Sequence, residues 1–254
     1  MKTAITRPVS PALAQCELSF VAREPIDIKL AEAQHRTYEK ALEASGCEVR
    51  SLALEPELPD SVFVEDAAVV LDEVAVITHP GAESRRAETV SVADALRAYR
   101  ELLRIEAPGT LDGGDVLRVA RTLYVGASAR SSAQGIRQLA ELLARYNYQV
   151  VPVPLRGCLH LKTAVTQVAP DLLLLNPEFV DADVFSGMQC LAVDPAEPFA
   201  GNALLVGESV IYPASCPRTR AHLIECGINI IGVDMSETEK AEGGVTCCSV
   251  IFDT

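Results

Sequence analysis

The chain has 254 residues, of which 49% are hydrophobic, and this is enough apolar material to build a substantial core. Its formal net charge of -13 argues against binding to nucleic acid or to an anionic membrane, both of which would repel an acidic surface, and favours a small cationic ligand. No apolar run reaches the roughly 18 residues that a membrane span requires, and the segment after Met1 lacks a secretion signal, so a cytoplasmic protein is expected.

Helical and β-prone stretches alternate along the chain. Apolar residues at helical spacing predict amphipathic helices over residues 30–46, 84–104 and 131–147. Short β-prone runs follow at 48–54, 150–153 and 228–233. Because no low-complexity linker divides these elements, we expect a single domain over residues 1–254.

A strand–turn–strand unit recurs between the helices. Copies are predicted over residues 60–86, with strands at 62–64 and 74–78, and over residues 109–130, 160–175 and 200–218. A fifth copy would join residues 245–252 to residues 4–7. Each copy carries one prominent polar residue, at intervals of roughly 42 to 48 residues, and these are Asp66, Asp112, His160, Asn202 and Cys247. A closed five-fold ring would gather them around a central channel, whereas an ordinary α/β sheet would produce a similar spacing.

The eight cysteines are expected to be reduced thiols, because the chain is large and carries no export signal. No Cys-x-x-Cys pair is present, and adjacent Cys247 and Cys248 are poorly placed to chelate one metal. The sequence therefore predicts no structural metal. An ion held by Cys247 and His160 would have two ligands where zinc usually has three or four, and would inhibit rather than serve as a cofactor.

The residues before the C-terminus present the main chemical candidate. Gly243 and Gly244 precede Cys247 by a few positions, and glycine allows the close backbone approaches with which a loop can present a thiol to a pocket. His160 is the candidate base, and the acidic turn over residues 60–66 is the candidate anchor. A thiol, an imidazole and carboxylates together indicate nucleophilic attack on a cationic substrate.

Five segments carry a resemblance to a known family. They are Asp60-Ser61-Val62-Phe63-Val64-Glu65-Asp66, Pro80-Gly81-Ala82-Glu83-Ser84-Arg85-Arg86, Thr110-Leu111-Asp112-Gly113-Gly114-Asp115-Val116, Leu159-His160-Leu161-Lys162 and Thr246-Cys247-Cys248-Ser249-Val250. In this order, over nearly the whole chain, they resemble the dimethylarginine dimethylaminohydrolases of the guanidine-modifying, or pentein, superfamily. The resemblance implies an α/β fold, a five-bladed propeller of ββαβ repeats around a central active-site channel. It also implies conversion of methylated arginines to citrulline and a methylamine, with no cofactor.

The resemblance assigns three catalytic roles. Cys247 matches the nucleophile, and His160 matches the general acid and base. Asp112 matches the carboxylate that orients the histidine, a position where some members of the family have Glu and others Asp. Asp112 also suits a simple Asp-Gly turn, and the sequence leaves both interpretations open.

The resemblance assigns the remaining candidates to the substrate. Asp66 would hold the guanidinium, with Glu65 contributing, because a carboxylate accepts two hydrogen bonds from a planar guanidinium. Asp60 would hold the amino end and Phe63 would form a pocket wall. The further predicted contacts are an α-carboxylate site at Arg85 and Arg130, a backbone contact from a mobile lid at Leu18, and a pocket lining at Ala241.

Two alternatives to methylarginine hydrolysis stay open on the sequence. A related hydrolase or deiminase would act on arginine or on another Nω-substituted arginine with the same residues. A catalytically inactive propeller would instead bind arginine-like metabolites as a sensor, although the intact thiol, imidazole and carboxylate set argues against it. The partner is in each case a small molecule, and a monomer or a homodimer is expected.

Overall fold

The computed structural model describes all 254 residues and contains five three-stranded sheets. The strands are β1 (Lys2–Thr6), β2 (Cys47–Ser51), β3 (Ala68–Val70), β4 (Val74–Ile77), β5 (Glu101–Arg104), β6 (Val116–Val119), β7 (Thr122–Ala127), β8 (Gln149–Pro154), β9 (Val165–Ala169), β10 (Leu172–Leu175), β11 (Gln189–Ala192), β12 (Leu204–Val206), β13 (Ser209–Pro213), β14 (Asn229–Val233) and β15 (Val250–Asp253). The α-helices are α1 (Ile28–Ala44), α2 (Thr89–Leu96), α3 (Ala133–Leu143), α4 (Leu161–Ala164), α5 (Pro217–Glu225) and α6 (Ser236–Glu239).

Every sheet has the same connectivity. Two strands pair antiparallel, and a third strand, reached through a helical segment, pairs parallel with the second. The sheet orders are β15-β1-β2, β3-β4-β5, β6-β7-β8, β9-β10-β11 and β12-β13-β14. The five-fold α/β repeat expected from the sequence is therefore confirmed, and a single continuous α/β sheet is excluded.

The two ends of the chain complete one sheet. Strand β1 pairs antiparallel with β15, from Lys2 opposite Asp253 to Ile5 opposite Val250, and parallel with β2. The C-terminal strand thus supplies the position that the first hairpin strand fills in the other four repeats. This closure brings the turn that carries Cys247 into the ring.

Apolar burial fixes helix α1 against that turn. The largest of five buried clusters contains 18 residues and draws on α1, β13 and the C-terminal segment. In α1, Tyr38 is fully buried, and its hydroxyl donates to the backbone carbonyl of Val245 over 2.8 Å and lies 2.7 Å from Ser249 Oγ. Because burying a large apolar side chain contributes about 1.5–3 kcal/mol, this packing holds the segment before β15 firmly.

Two local predictions were wrong in their bounds. Residues 62–64 were predicted as a strand, but they lead into a 3-10 turn over Val64–Ala67. The predicted helix over 84–104 divides into a 3-10 segment (Glu83–Glu88), α2 and β5. Pairing of Leu102 with Ala75 in strand β4 outweighed the helical spacing of the apolar residues at the end of that stretch. The helices also lack the combination of length and apolar character that a membrane span requires.

Candidate active site

Close packing shapes the turn that presents Cys247. A Cβ atom on Gly243 would lie 2.3 Å from Phe63 Cε1, and one on Gly244 would lie 2.3 Å from Asn202 Oδ1. The backbone N–H of Gly244 donates to Cys247 Sγ over 3.3 Å. The two glycines are therefore needed for close approach, and both have ordinary negative or extended φ values.

The adjacent thiols have different surroundings. Cys247 is partly exposed, whereas Cys248 is fully buried in the 18-residue cluster around Tyr38. Burial and the nearby carboxylates of Glu65 and Asp66 raise the pKa of Cys247 to about 12. In the free protein the sulfur is therefore a protonated thiol at neutral pH.

Gly244→Ala is expected to destabilise this turn. The added methyl group must displace Asn202, and overpacking of this kind costs about 1–3 kcal/mol. Urea unfolding would measure the loss. Gly232→Ala is the matched control, because its Cβ would meet only Arg220 at an ordinary 3.5 Å; equal losses in the two variants would contradict the packing argument.

Asn202 holds the nucleophile turn to the neighbouring repeat. Its Nδ2 donates to the carbonyl of Lys162 over 2.9 Å and to Thr246 Oγ1 over 3.1 Å. Its Oδ1 accepts from the backbone N–H of Thr246 over 3.2 Å. The repeat spacing singled out Asn202 in the sequence without a role, and the structure places it as a positioning residue beside Cys247.

Glu65 lies beneath the same turn. Its Oε1 accepts from Lys162 Nζ over 2.6 Å, and its Oε2 accepts from Thr246 Oγ1 over 2.7 Å. In this geometry Glu65 supports the nucleophile turn from below. Its contact with a guanidinium stays a prediction.

His160 is held by Asp112 on one edge of its ring. Its Nε2 lies 3.1 Å from Asp112 Oδ2, and the other carboxylate oxygen accepts from the backbone N–H of Gly81 over 2.9 Å. On the opposite edge, Nδ1 lies 3.9 Å from Asp66 Oδ1, beyond hydrogen-bond range. The structure therefore places Asp112 where an orienting carboxylate has to be, and it leaves Nδ1 free to face a substrate.

The charge of His160 follows from three carboxylates. Burial disfavours its cation, but Asp66, Asp112 and Asp115 outweigh burial and raise the pKa of His160 to about 9. Asp115 also accepts from the backbone N–H of Leu161 over 3.0 Å and so holds the residue after His160. At neutral pH the imidazole is protonated and can donate a proton.

A glycine lets the imidazole and Asp66 approach each other. A Cβ on Gly114 would lie 2.7 Å from both Asp66 Oδ1 and His160 Nδ1, and the Gly114 N–H donates to Asp66 Oδ1 over 2.9 Å. Burial would raise the pKa of Asp66, but His160 and Arg85 lower it to about 2. Asp66 is thus an ionised, buried carboxylate within 4 Å of the imidazole.

The two arginines predicted to bind a carboxylate differ in their contacts. Arg85 is buried and bridges Asp66, at 2.5 Å from Oδ2, and Glu88, at 2.8 Å from Oε2. Arg130 is also buried, but its Nη1 has no hydrogen-bond partner and lies 3.8 Å from Asp112 Oδ2. Arg130 therefore has a free donor for an anionic ligand, whereas the donors of Arg85 are occupied by internal partners. The sequence did not identify Glu88.

Most of the predicted site residues surround one small cavity of about 20 Å³. Its lining contains eight of them, together with Glu17 beside Leu18, and the eight are Asp60, Phe63, Asp66, Arg85, Arg130, His160, Ala241 and Cys247. On this measure about 10–15 Å³ is enough to hold one water molecule. The cavity as it stands is thus too small for an amino acid, and the residues that line it must move apart for one to bind.

The segment over residues 17–21 covers the cavity. Glu17 donates its backbone N–H to Asp60 Oδ2 over 3.1 Å. The backbone N–H groups of the next residues, Ser19, Phe20 and Val21, all donate to the carboxylate of Glu242. Leu18 turns its side chain toward the main buried cluster. Leu18 lies in this covering segment, and its backbone contact with a substrate stays a prediction. Glu242, which the sequence did not single out, fastens the segment.

Asp66, Asp112 and His160 also form the one three-residue group of metal-ligand type, with donor atoms within 4.8 Å of one another. These atoms are already engaged with cations or hydrogen-bond donors, because Arg85 contacts Asp66 and protonated His160 contacts Asp112. The arrangement suits proton transfer and cation binding better than metal coordination.

The chain is similar to known proteins along most of its length. The arginine deiminase family model matches residues 15–197. The N(G),N(G)-dimethylarginine dimethylaminohydrolase of Streptomyces coelicolor is 43% identical over 250 residues, which cover 98% of this chain and 96% of that protein. The protein of the same name from Pseudomonas aeruginosa is 38% identical, with 89% of this chain and 90% of that protein covered.

Solved structures give the same result. A crystal structure of a dimethylarginine dimethylaminohydrolase adduct with S-methyl-L-thiocitrulline matches with a TM-score of 0.95 and 36% identity, over 99% of this chain and 100% of the other. The Pseudomonas aeruginosa enzyme in complex with citrulline matches with a TM-score of 0.94, also at 36% identity, over 98% of both chains.

Proposed function

Since this chain belongs to the family of arginine deiminases and dimethylarginine dimethylaminohydrolases, we propose that it hydrolyses Nω-methylated L-arginines to L-citrulline and a methylamine. The observation that carries the proposal is the meeting of a thiol, an imidazolium and an ionised carboxylate around one closed cavity, at Cys247, His160 and Asp66. The proposed enzyme is one catalytic domain over residues 1–254. Its partner is a small molecule.

Substrate binding follows from the charges in the cavity. Asp66 is ionised and attracts the guanidinium, and a carboxylate can accept two parallel N–H bonds from this planar group. Asp60 lies beside Glu17 on the lid, where it can accept from an α-amino group, and Arg130 Nη1 offers its free donor to the α-carboxylate. The two ends of the amino acid thus meet groups of opposite charge.

The bound guanidinium activates the nucleophile. The carboxylates of Glu65 and Asp66 raise the pKa of Cys247 in the empty cavity. A cation bound beside the sulfur opposes their field and lowers the pKa, so the thiol releases its proton to solvent as the substrate binds. The thiolate then attacks the guanidinium carbon and forms a tetrahedral adduct.

His160 carries the proton transfers of both steps. Its Nδ1–H donates to the substituted nitrogen as the carbon–nitrogen bond breaks, which releases methylamine and leaves a planar thiouronium on Cys247. Neutral His160, held by Asp112, then removes a proton from water. The resulting hydroxide adds to the thiouronium carbon, and departure of the sulfur yields citrulline.

A product assay tests this proposal. Asymmetric dimethylarginine, monomethylarginine, hydroxyarginine and arginine would be compared, with citrulline and the released amine measured for each. We expect the highest kcat/KM for the methylated arginines. The match to the arginine deiminase model favours unmethylated arginine as the second candidate, and ammonia release from arginine with no turnover of methylarginines would transfer the assignment to it. Binding without any citrulline would indicate a sensor.

Arg130→Met is expected to weaken binding of amino acid substrates. Loss of a hydrogen bond to a charged group costs about 1.5–3 kcal/mol, which corresponds to roughly 10- to 150-fold in kcat/KM. Methylguanidine lacks the carboxylate, so its slow turnover should be unaffected. Steady-state kinetics with both substrates would measure the contrast.

Arg85→Met is the informative comparison for this prediction. Because Asp66 and Glu88 would lose a buried cation, we expect a loss of about 3–5 kcal/mol in unfolding free energy and reduced turnover of both substrates. If the Arg130 variant also lost methylguanidine turnover, the assignment of Arg130 to the α-carboxylate would be wrong.

A further inference from the structure

A second cavity, of about 330 Å³, adjoins the nucleophile. It shares Leu159, Glu242, Gly243 and Cys247 with the small cavity. None of the charged groups proposed to hold the amino acid, which are Asp60, Asp66, Arg85 and Arg130, contributes to its lining. The sulfur therefore stands between a compartment for the amino acid and a larger compartment without an assigned ligand.

The lining of this second cavity is apolar and acidic. Phe20 from the lid and Phe199 from the loop before β12 are each 50% exposed, and the ring of Phe199 lies 5.7 Å from that of Phe179. Three carboxylates complete the wall, from Glu197, Glu239 and Glu242. No arginine or lysine side chain contributes to it.

The position of the sulfur determines what this space can receive. In the proposed reaction the guanidinium carbon bonds to Cys247 Sγ, so every group on that carbon lies within a few bond lengths of the sulfur. The small cavity is walled by Asp60, Asp66 and Arg130, the charged groups proposed to hold the amino acid and its guanidinium. The space that remains beside the sulfur is the second cavity.

On the basis of the proposed function, we infer that the second cavity receives the Nω-substituent of the substrate and then the departing amine, so that the enzyme accepts arginines with apolar Nω-substituents larger than methyl. A volume of about 330 Å³ exceeds that of roughly ten water molecules at about 30 Å³ each. An alkyl chain of four carbons therefore fits.

The carboxylates define the charge of the accepted group. Glu239 Oε1 accepts from Ser215 Oγ over 2.7 Å, and its other oxygen makes no hydrogen bond within the protein. When the carbon–nitrogen bond breaks, the substituted nitrogen takes the proton from His160 and departs as an amine, which water then protonates to an ammonium ion. The acidic wall stabilises that cation, and it repels an anionic substituent.

A matched set of substrates tests the inference. Nω-methyl-, Nω-butyl- and Nω-(3-carboxypropyl)-L-arginine would be compared by citrulline formation. We expect kcat/KM for the butyl compound to be no less than about one tenth of that for the methyl compound, because the space beside the sulfur is already present and burial of the extra methylenes is favourable. The carboxypropyl compound should be at least about 100-fold poorer than the butyl compound, because like charges at close quarters cost several kcal/mol.

A tryptophan that fills the second cavity tests whether the butyl group binds there. Ala196 lines the second cavity from an exposed loop, and Ala192 is also exposed, in β11, but lies outside the cavity. Ala196→Trp should reduce the butyl-to-methyl ratio of kcat/KM by about tenfold or more, because the indole occupies space that the chain needs. Ala192→Trp should keep the ratio of the unaltered enzyme.

The outcomes separate the inference from the proposed function. Turnover of the methyl compound without turnover of the butyl compound would overturn the inference and leave the proposed function intact. Equal ratios in the two tryptophan variants would also overturn it. Absence of citrulline from every substrate would remove the proposed function, and the inference with it.

Discussion

Replacing Cys247 by serine is expected to lower citrulline formation by about 10⁴-fold or more, because removal of a covalent nucleophile costs a factor of this order. Since Cys247 is partly exposed on a turn, the free energy of unfolding should change by no more than about 0.5 kcal/mol. Steady-state assays and urea unfolding would measure both effects.

Cys248→Ser is the matched control. The same exchange of sulfur for oxygen would place a hydroxyl in a fully buried apolar position, at a cost of about 1–3 kcal/mol. Turnover per folded molecule should be largely retained. A folded but inactive Cys248 variant together with an active Cys247 variant would reverse the assignment of the nucleophile.

His160→Ala is expected to have the second largest effect, and the effect should depend on the leaving group. With monomethylarginine, loss of the general acid should slow the release of methylamine by about 10²–10⁴-fold. With S-methyl-L-thiocitrulline the leaving methanethiolate needs little protonation, so the first step should be partly spared. The hydrolytic second step lacks its base in both cases.

A burst experiment separates the two steps. The His160 variant should release close to one equivalent of methanethiol from S-methyl-L-thiocitrulline and then slow sharply, while citrulline formation lags and the thiouronium accumulates on Cys247. Mass spectrometry of the quenched protein would detect the adduct. Equal losses for both leaving groups, without a burst, would count against His160 as the general acid.

The pH dependence of the unaltered enzyme should reflect the same group. The pKa of His160 is raised to about 9 in the folded protein, above the ordinary value of about 6.5. The acid form therefore persists through neutral pH and is lost as the pH rises through about 9. Single-turnover release of methylamine should decline across that range, whereas release of methanethiol should not. Parallel declines would contradict the role.

The raised pKa of His160 also makes the free energy of unfolding depend on pH. A raised pKa means that the fold stabilises the protonated imidazole, so this contribution is complete below about pH 6.5 and disappears as the pH rises through about 9. In His160→Ala the free energy of unfolding should consequently vary less with pH over this range than in the unaltered protein.

The sequence by itself indicated the repeat and its chemistry. Alternating β-prone and helical stretches, with polar residues at even intervals, fitted either a five-fold ring or an ordinary α/β sheet; the resemblance of five motifs to a known family implied the ring, and the sheets confirm it. A five-fold ring was also expected to gather Asp112 and His160, and in the structure His160 Nε2 lies 3.1 Å from Asp112 Oδ2. The repeat and the spacing of its polar residues depend on local hydrophobic patterns and on a recurring unit, and both can be recognised in the linear sequence.

Only the tertiary structure decided how the charged groups are partnered. Arg85 and Arg130 follow similar loops in successive repeats, yet one is bound by Asp66 and Glu88 and the other keeps a free donor. Glu65 is engaged by Lys162 from another repeat. Each of these contacts depends on which side chains face each other across the ring, and neighbouring residues in the chain do not reveal it.

For the lid and the nucleophile turn, too, the sequence predicted the local element, and tertiary contacts decided its shape. The Gly243-Gly244 pair predicted a turn that presents a thiol, but the reason for both glycines is the proximity of Phe63 and Asn202. The contact between Glu242 and the lid joins residues more than 220 positions apart. Contacts across such separations arise only when the C-terminal strand closes the ring, so the shape of the closed site belongs to the tertiary structure.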